Sequence, residues 1–259
     1  MNISGSKILI TGGTGSFGNR VAEHLLKQSP SIVRIFSRDE KKQWEMQQKF
    51  PQFQYIIGDI RDEARLEKAM MEKLVCSQNI NESETKFCCV RYGNVMGSRG
   101  SVIPLFKKQI ESGNPMTITV PEMTRFLLTL DQSVGLVLHA MKNANGGEIF
   151  VRKAPGCTIQ ILADTVRRKF SKNGENHPIQ VSGIRPGEKL HETLVNEYEM
   201  QRITDEELFY TVHPEYNVPK NHSDKILGSE YTSNNTNQLN KFEDISKLLD
   251  KMGEIELYI

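Results

Sequence analysis

Gly12, Gly15 and Gly18 stand three apart in ILITGGTGSFGNR, directly after a short apolar run and at the opening of a helical pattern. Glycines so placed let the backbone turn tightly, approach a pyrophosphate and pack a helix against a strand. The helix N-terminus adds unpaired N–H groups and a favourable dipole. Thr14, Ser16 and Phe17 complete the loop as cofactor-binding candidates. The spacing is G-x-x-G-x-x-G and not the common G-x-G-x-x-G; a glycine-rich turn without function is the competing reading, and the strand–glycines–helix context weighs against it. Where an acid would hold a ribose 2′-OH, the chain reads FSRDE, with Arg38 lying 20 residues after Gly18 and Ser37 before it. A basic group there accommodates a 2′-phosphate, so NADP is the expected cofactor. Asp39 keeps NAD open, and Arg38 as a solvated loop charge remains the alternative. In GDIRD, Asp59 and Ile60 end a third apolar run where an adenine could rest, although Asp59 serves equally well as a turn residue.

Those loops need strands and helices to hold them. Lys7–Thr11, Ile32–Ser37 and Gln54–Asp59 read as strands, with a helix over Gly18–Lys27 between the first two. Buried strands alternating with helices predict an α/β fold with a mostly parallel, Rossmann-like sheet. Lys86–Tyr92 and Glu148–Lys153 read as further inner strands. Asp131–Ala144 reads as a helix with Val134, Leu138 and Met141 on one stripe. From Thr158 the texture changes: a helix to Phe170, a strand over Ile179–Ser182, the segment RPGEKLHETL, the polar stretch GSEYTSNNTNQLN read as loop, and a last amphipathic helix over Phe242–Met252. The expected division is a dinucleotide-binding domain of residues 1–104 and 124–154, and a smaller, mostly C-terminal substrate-binding domain of 105–123 and 155–259.

The bulk properties exclude several classes. With 259 residues, 37% hydrophobic and 25% charged, the chain suits a soluble globular protein. Thirty-three basic against 32 acidic side chains give no electrostatic case for nucleic acid or an anionic membrane. The apolar runs are strand-length, too short to span a bilayer. MNISGSKILI lacks a leader pattern, and the expected location is cytoplasmic. Cys76, Cys88, Cys89 and Cys157 show no metal-ligand spacing and are expected as reduced, buried thiols, with no metal site.

TGGTGSFGN, RIFSRDEKKQ, GDIRD, RYGNVMGSRGSVIPLF, MTRF and RPGEKLHE together resemble the extended short-chain dehydrogenase/reductases. More closely they are similar to the UDP-N-acetylglucosamine 4,6-dehydratases of surface-polysaccharide synthesis. The resemblance runs from about Lys7 to about Leu249 with one large interruption. It implies a redox-neutral dehydration on a UDP-sugar: hydride leaves the sugar C4 and returns at C6, a proton leaves C5, and hydroxide leaves C6. Acid/base groups must surround the hexose. It further implies that Asn94, Arg99, Ser101, Thr119, Arg125, Arg185 and Glu188 surround the UDP moiety, where guanidinium forks suit a diphosphate. Surface ion pairing is the alternative for Arg125 and Arg185. A homo-oligomer is the family habit.

The interruption falls in RDEARLEKAMMEKLVCSQNI, residues 61–80. RDEARLEKAM resembles the start of the family's third helix and KAMMEKL the inside of its catalytic helix. The chain thus reads as if two βα units, on the order of 60–80 residues, were excised at KAM. The alanine-rich turn and the TDK-like segment of the family have no match. Lys68 aligns with the catalytic lysine, yet Ala64 stands where a tyrosine would, and Lys68 is equally readable as a solvated helix lysine. The expectation is a shortened sheet lacking the family's fourth and fifth strands, spliced to five strands, with residues 61–80 as one fused helix. Three functional readings stay open: an impaired or inactive dehydratase, a non-catalytic NADP/UDP-sugar binder, and a gene that carries the segment this chain lacks.

Overall fold

Short aliphatic runs become strands, and the amphipathic stretches between them become the helices that cover them. The computed structural model describes residues 3–37, 39–57, 72, 75–77, 79, 85–98, 100–184, 188–218 and 230–253. In chain order the elements are β1 (Lys7–Thr11), α1 (Ser16–Leu26), β2 (Ile32–Ser37), α2 (Glu40–Lys49), β3 (Gln54–Ile57), β4 (Cys89–Arg91) and α3 (Val102–Glu111). There follow β5 (Met116–Ile118), β6 (Thr124–Phe126), α4 (Leu130–Asn143), β7 (Ile149–Arg152), β8 (Gly156–Thr158), α5 (Ile159–Phe170) and β9 (Ile179–Val181). β10 (Thr193–Val195), α6 (Glu197–Met200), β11 (Ile203–Asp205), β12 (Phe209–Val212), β13 (Tyr231–Thr232) and α7 (Phe242–Gly253) complete the chain. The chain divides into one unit of Met1–Val90 with Leu130–Phe150 and another of Arg91–Thr129 with Val151–Ile259.

In the first unit β1, β2 and β3 form a parallel sheet, Lys7 opposite Ile32 and Arg34 opposite Gln54. α1 turns Val21, Ala22 and Leu25 inward, where they join Val33 and Ile35 of β2, Met46, Phe50, Phe53 and, from α4, Val134. Its outer face carries Arg20, paired with Glu23 at 3.0 Å and with Asp131 at 3.1 Å. α2 begins at Asp39, whose carboxylate accepts from the Lys42 N–H at 3.0 Å, an N-cap that fixes where the helix starts.

The expected splice into five strands does not form. Among the described residues the parallel sheet ends at β1, and β4 lies in a different sheet, of order β11–β12–β7–β4. The unit division falls inside two of that sheet's strands, after Val90 and after Phe150. Between β1 and the β4 segment the first unit instead holds a cavity of about 490 Å³, lined by Ile8, Leu9 and Ile10 of β1, by Cys88 just before β4 and by Val90 within it. Leu9 is consequently 59% exposed, at the centre of a run as apolar as an inner strand. The fused helix falls mostly outside the described residues; within it Glu72, Val75, Cys76 and Ser77 are helical.

The second unit is built on α3, α5 and α7, whose Ile103, Phe106, Leu162, Val166, Ile245 and Leu249 pack around Met116 and Ile118 of β5. β5 pairs in parallel with β9, while β6–β8, β10–β13 and β11–β12 are antiparallel. The polar stretch read as loop contains β13. Its Tyr231 is buried because the phenol donates to the Ala154 carbonyl at 3.0 Å and accepts from the Ala154 N–H at 2.9 Å. Arg91 forms a fork with Glu199, Nη1 to Oε2 at 2.8 Å and Nη2 to Oε1 at 2.9 Å, and Nη1 also donates to Leu194 O at 3.0 Å. Glu199 closes a capping box with Asn196 at the start of α6. Burial pushes its carboxyl up, but the Arg91 and Asn196 hydrogen bonds outweigh this and hold it below the ordinary 4.5.

Of the four cysteines, expected as buried thiols, Cys76 and Cys157 are buried, whereas Cys88 and Cys89 are only half-buried. Burial pushes Cys157 up to about 12. Among the described residues no cluster of His, Cys, Asp or Glu could hold a metal, and no helix is long and apolar enough to cross a membrane.

Candidate functional site

The glycine loop is built by the junction of β1 and α1. Gly12 adopts φ +63° and donates its N–H to Phe36 O at 2.8 Å, so the chain leaves β1 still tied to β2 and turns where a side chain would be strained. Gly18 lies against the loop's own backbone: a Cβ there would stand 2.1 Å from Gly13 O. This close approach brings α1 down onto the loop, as the third glycine of a dinucleotide fingerprint does. Gly15 is the N-cap residue, no side chain caps the helix, and the first-turn N–H groups have no acceptor within it. Asn19 Nδ2 instead ties down the loop carbonyls, donating to Thr14 O at 3.2 Å and Gly15 O at 3.0 Å. Ser16 opens α1, and Phe17 packs its ring against the first unit's core. The donor set and the absent side chains at Gly12, Gly15 and Gly18 fit a pyrophosphate.

Ser37, at the end of β2, reaches this loop: its Oγ lies 2.7 Å from Thr14 Oγ1 and accepts from the Asp39 N–H at 3.3 Å. The structure thus brings Thr14 and Ser37, 23 residues apart, into one hydrogen-bonded pair. Asp39, the residue that left NAD open, is occupied as a cap and as an ion-pair partner of Lys42 Nζ at 2.9 Å. Arg38, Asp59 and Ile60 lie outside the described residues.

In the second unit a cavity of about 230 Å³ gathers Asn94 and Ser101 of one motif with Thr119, Arg125 and Glu188 from farther along the sequence. Asn94 is fixed by its carbonyl, which accepts from Leu128 N at 3.1 Å. Thr119 follows β5, and its hydroxyl donates to Glu188 Oε1 at 3.4 Å. Arg125, on β6, is 12% exposed at its side chain and sits 3.5 Å from Glu188 Oε1 and 3.6 Å from Glu192 Oε1. Nη1 donates to the Thr124 carbonyl at 2.7 Å, while Nη2 lies 2.8 Å from Met123 Sδ. Ser101 holds the N-cap position of α3 without capping it, and its buried Oγ has no hydrogen-bond partner. A buried hydroxyl without a partner costs free energy, and one beside a cavity fits a polar group or a water placed there. Arg99 and Arg185, which would add positive charge, lie outside the described residues, as does Lys68.

Sequence reasoning missed the group that aims Arg125. Thr124 Oγ1 lies 2.8 Å from His191 Nδ1 and 2.7 Å from Ser233 Oγ, and Ser233 Oγ accepts from Glu192 N at 2.9 Å. This buried chain ties the Leu190–Glu192 segment and the Ser233 turn to β6. Glu192 was within reach, because it stands four residues after Glu188 in the same motif; Ser233 sits in a stretch that carries no pattern. Tyr55 and Tyr92, the phenols that could stand in for missing acids and bases, are poor ones. Tyr55 donates to Phe50 O at 3.0 Å and burial pushes it up to about 12; burial also pushes Tyr92 up.

The family model described as "Polysaccharide biosynthesis protein" matches residues 8–76 and again residues 67–214, so residues 67–76 are claimed by both matches. That overlap contains the KAM at which the sequence reads as joined. A UDP-glucose 4-epimerase of Rickettsia rickettsii (strain Sheila Smith) is 36% identical over 327 residues, covering 93% of this chain and 94% of the relative. The alignment is longer than the 259-residue chain, so the relative carries residues with no counterpart here. Among solved structures, Pen from Bacillus thuringiensis superposes with a TM-score of 0.85 at 27% identity, covering 98% of this chain and 99% of that one. A UDP-glucuronic acid 4-epimerase from Bacillus cereus, solved with UDP-glucuronic acid and NAD, has a TM-score of 0.54 at 16% identity over 71% of this chain and 88% of its own, a likeness of fold alone.

Proposed function

This chain belongs to the polysaccharide biosynthesis protein family, and from that premise we propose that it binds a nicotinamide dinucleotide and a UDP-sugar, being by descent an NADP-dependent UDP-N-acetylglucosamine 4,6-dehydratase whose turnover is impaired or absent in this shortened form. The observation that carries the binding reading is the second unit's cavity, where five residues named from the resemblance converge, one of them Ser101 with its orphaned buried hydroxyl. Arg125 would donate to the diphosphate, and Thr119 and Glu188 would hydrogen-bond elsewhere on the UDP moiety. In the first unit the Gly12–Gly18 loop and the N-terminus of α1 would hold a pyrophosphate, with Ser37 and Arg38 at the adenosine ribose. Asp39, used as a helix cap, leaves less to favour NAD. A bound nicotinamide would supply acceptance and return of a hydride. For the proton steps the chain offers little, since a missing acid/base role costs ~10²–10⁴-fold and the family's segments for several such roles have no match here.

A second reading draws on the relatives named UDP-glucose 4-epimerase: the same two ligand sites would serve a 4-epimerisation, with hydride leaving and returning at the sugar C4. The third is a non-catalytic NADP/UDP-sugar binder. One experiment separates them. Purified chain, checked as folded by circular dichroism, is incubated with UDP-N-acetylglucosamine, and in parallel with UDP-glucose, plus NADP⁺ or NAD⁺, and followed by proton NMR. A new sugar 6-methyl signal with multiple turnovers means an intact dehydratase and overturns the impairment; interconversion at C4 without a methyl means an epimerase. Binding of both ligands with neither product supports the impaired or non-catalytic reading. Equal affinity for NADP and NAD in the accompanying titration sinks the cofactor assignment.

A further inference from the structure

Among the described residues, β1 has one paired edge and one open one. Ser6 O accepts from Ile32 N at 3.3 Å and Gly12 N donates to Phe36 O at 2.8 Å, so the even-numbered positions turn their peptide groups toward β2. By the alternation of a parallel ladder, Lys7, Leu9 and Thr11 turn theirs the other way. That way lies the cavity of about 490 Å³, with Ile8, Ile10 and Phe17 on the β1 side, Cys88 and Val90 opposite, and Met141 from α4. In a doubly wound sheet of order 3-2-1-4-5-6 a strand belongs against this edge of the first strand. The two family matches overlap at residues 67–76, between β3 and β4, and the relative's alignment exceeds this chain's length. The overlap lies in the connection from β3 to β4, where the sequence reads as lacking a family stretch.

We propose that this slot is a docking site for the family stretch this chain lacks, donated in trans by a longer chain of the same family, with one strand of that stretch pairing along β1. Main-chain bonds from Lys7, Leu9 and Thr11 would hold it, and alternate apolar side chains would enter the slot, the mode by which peptides add to an open sheet edge. β1 offers five residues, a common strand length. An edge this apolar is otherwise a site of uncontrolled pairing. The inference rests on family membership and not on the proposed activity, so its test reads binding.

The probe is the stretch of the Rickettsia rickettsii relative that has no counterpart in this chain, produced as a separate polypeptide, with a scrambled version as control. The expected result is one-to-one binding, with amide exchange at Leu9 and Thr11 slowed at least tenfold and exchange in β2 unchanged. Leu9→Pro deletes the central donor at a position an edge strand tolerates. Leu9→Lys changes a side chain that is 59% exposed and leaves the fold intact by circular dichroism. Each should weaken binding at least tenfold. Unchanged exchange at Leu9 and Thr11 with saturating probe overturns the proposal, as does equal binding by wild type and both variants. A wild-type chain that is itself a dimer, with those amides protected until dilution, also overturns it and assigns the slot to a second copy.

Discussion

Two residues carry the argument at the smallest scale, and they make opposite predictions. Gly18 is required by contact: a methyl group there meets Gly13 O at 2.1 Å. Gly18→Ala must push α1 off the loop, and overpacking of this kind costs about 1–3 kcal/mol. The expected outcome is a lowered thermal midpoint together with loss of dinucleotide binding, measured by fluorescence titration; unchanged affinity would mean that the loop is a turn and not a cradle. Ser101 is the reverse case. Its Oγ is buried without a partner, so Ser101→Ala should leave stability unchanged or slightly raised. If the cavity takes a UDP-sugar, the same change should weaken that ligand by about 0.5–1.5 kcal/mol, read by calorimetry with UDP. A variant that loses stability and binds UDP normally would place the hydroxyl in the fold and remove it from the site.

Among the elements, the ion pair that joins β4 to α6 sets the pH response. Glu199 is held below 4.5 in the folded chain by Arg91 and Asn196, against the burial that opposes them. A depressed carboxylate stabilises fully above its unfolded value and loses that contribution as pH falls through the folded one. Thermal midpoints measured from pH 6 down toward about pH 3 should therefore fall less steeply in Glu199→Gln than in wild type, while Arg91→Ala, which strands a buried carboxylate, should cost about 3–5 kcal/mol at neutral pH. Parallel slopes for wild type and Glu199→Gln would remove Glu199 from the acid response. None of this pair was legible in the sequence, because Arg91 and Glu199 are 108 residues apart and each looks like a surface charge. The elements themselves were legible where a local pattern specified them. Lys7–Thr11 and Ile32–Ser37 read as strands from aliphatic runs, and α5 and α7 read as helices from their spacing. β6, β8 and β13 went unread, for they are two or three residues long and exist through partners far along the chain. The splice failed for a related reason: apolar runs at Lys7–Thr11 and Lys86–Tyr92 say that both want burial, but not that they bury against each other.

For the molecule as a whole, the two candidate ligand sites belong to different cores. The glycine loop rests on the cluster of Val21, Leu25, Ile35 and Phe50, and the second unit's cavity on that of Ile103, Phe106, Leu162 and Ile245. The first cluster sits under a sheet with an open inner edge, so it should be the weaker. A ligand stabilises only what it binds, by about 2.7 kcal/mol at 100 times its dissociation constant. In a unit of roughly a hundred residues that is worth roughly 10–20 °C. Calorimetry should resolve two transitions. NADP should raise the lower one and leave the upper in place, and UDP should raise the upper alone. Movement of both transitions with either ligand would mean that the cores unfold together and that the sites are energetically linked. Movement of neither would mean that the shortened chain has kept the outline of its family's binding surfaces without their affinity. The Leu9 edge gives the result a direction, because any partner that fills it should act on the lower transition, and should add to the effect of NADP there while leaving the UDP response untouched.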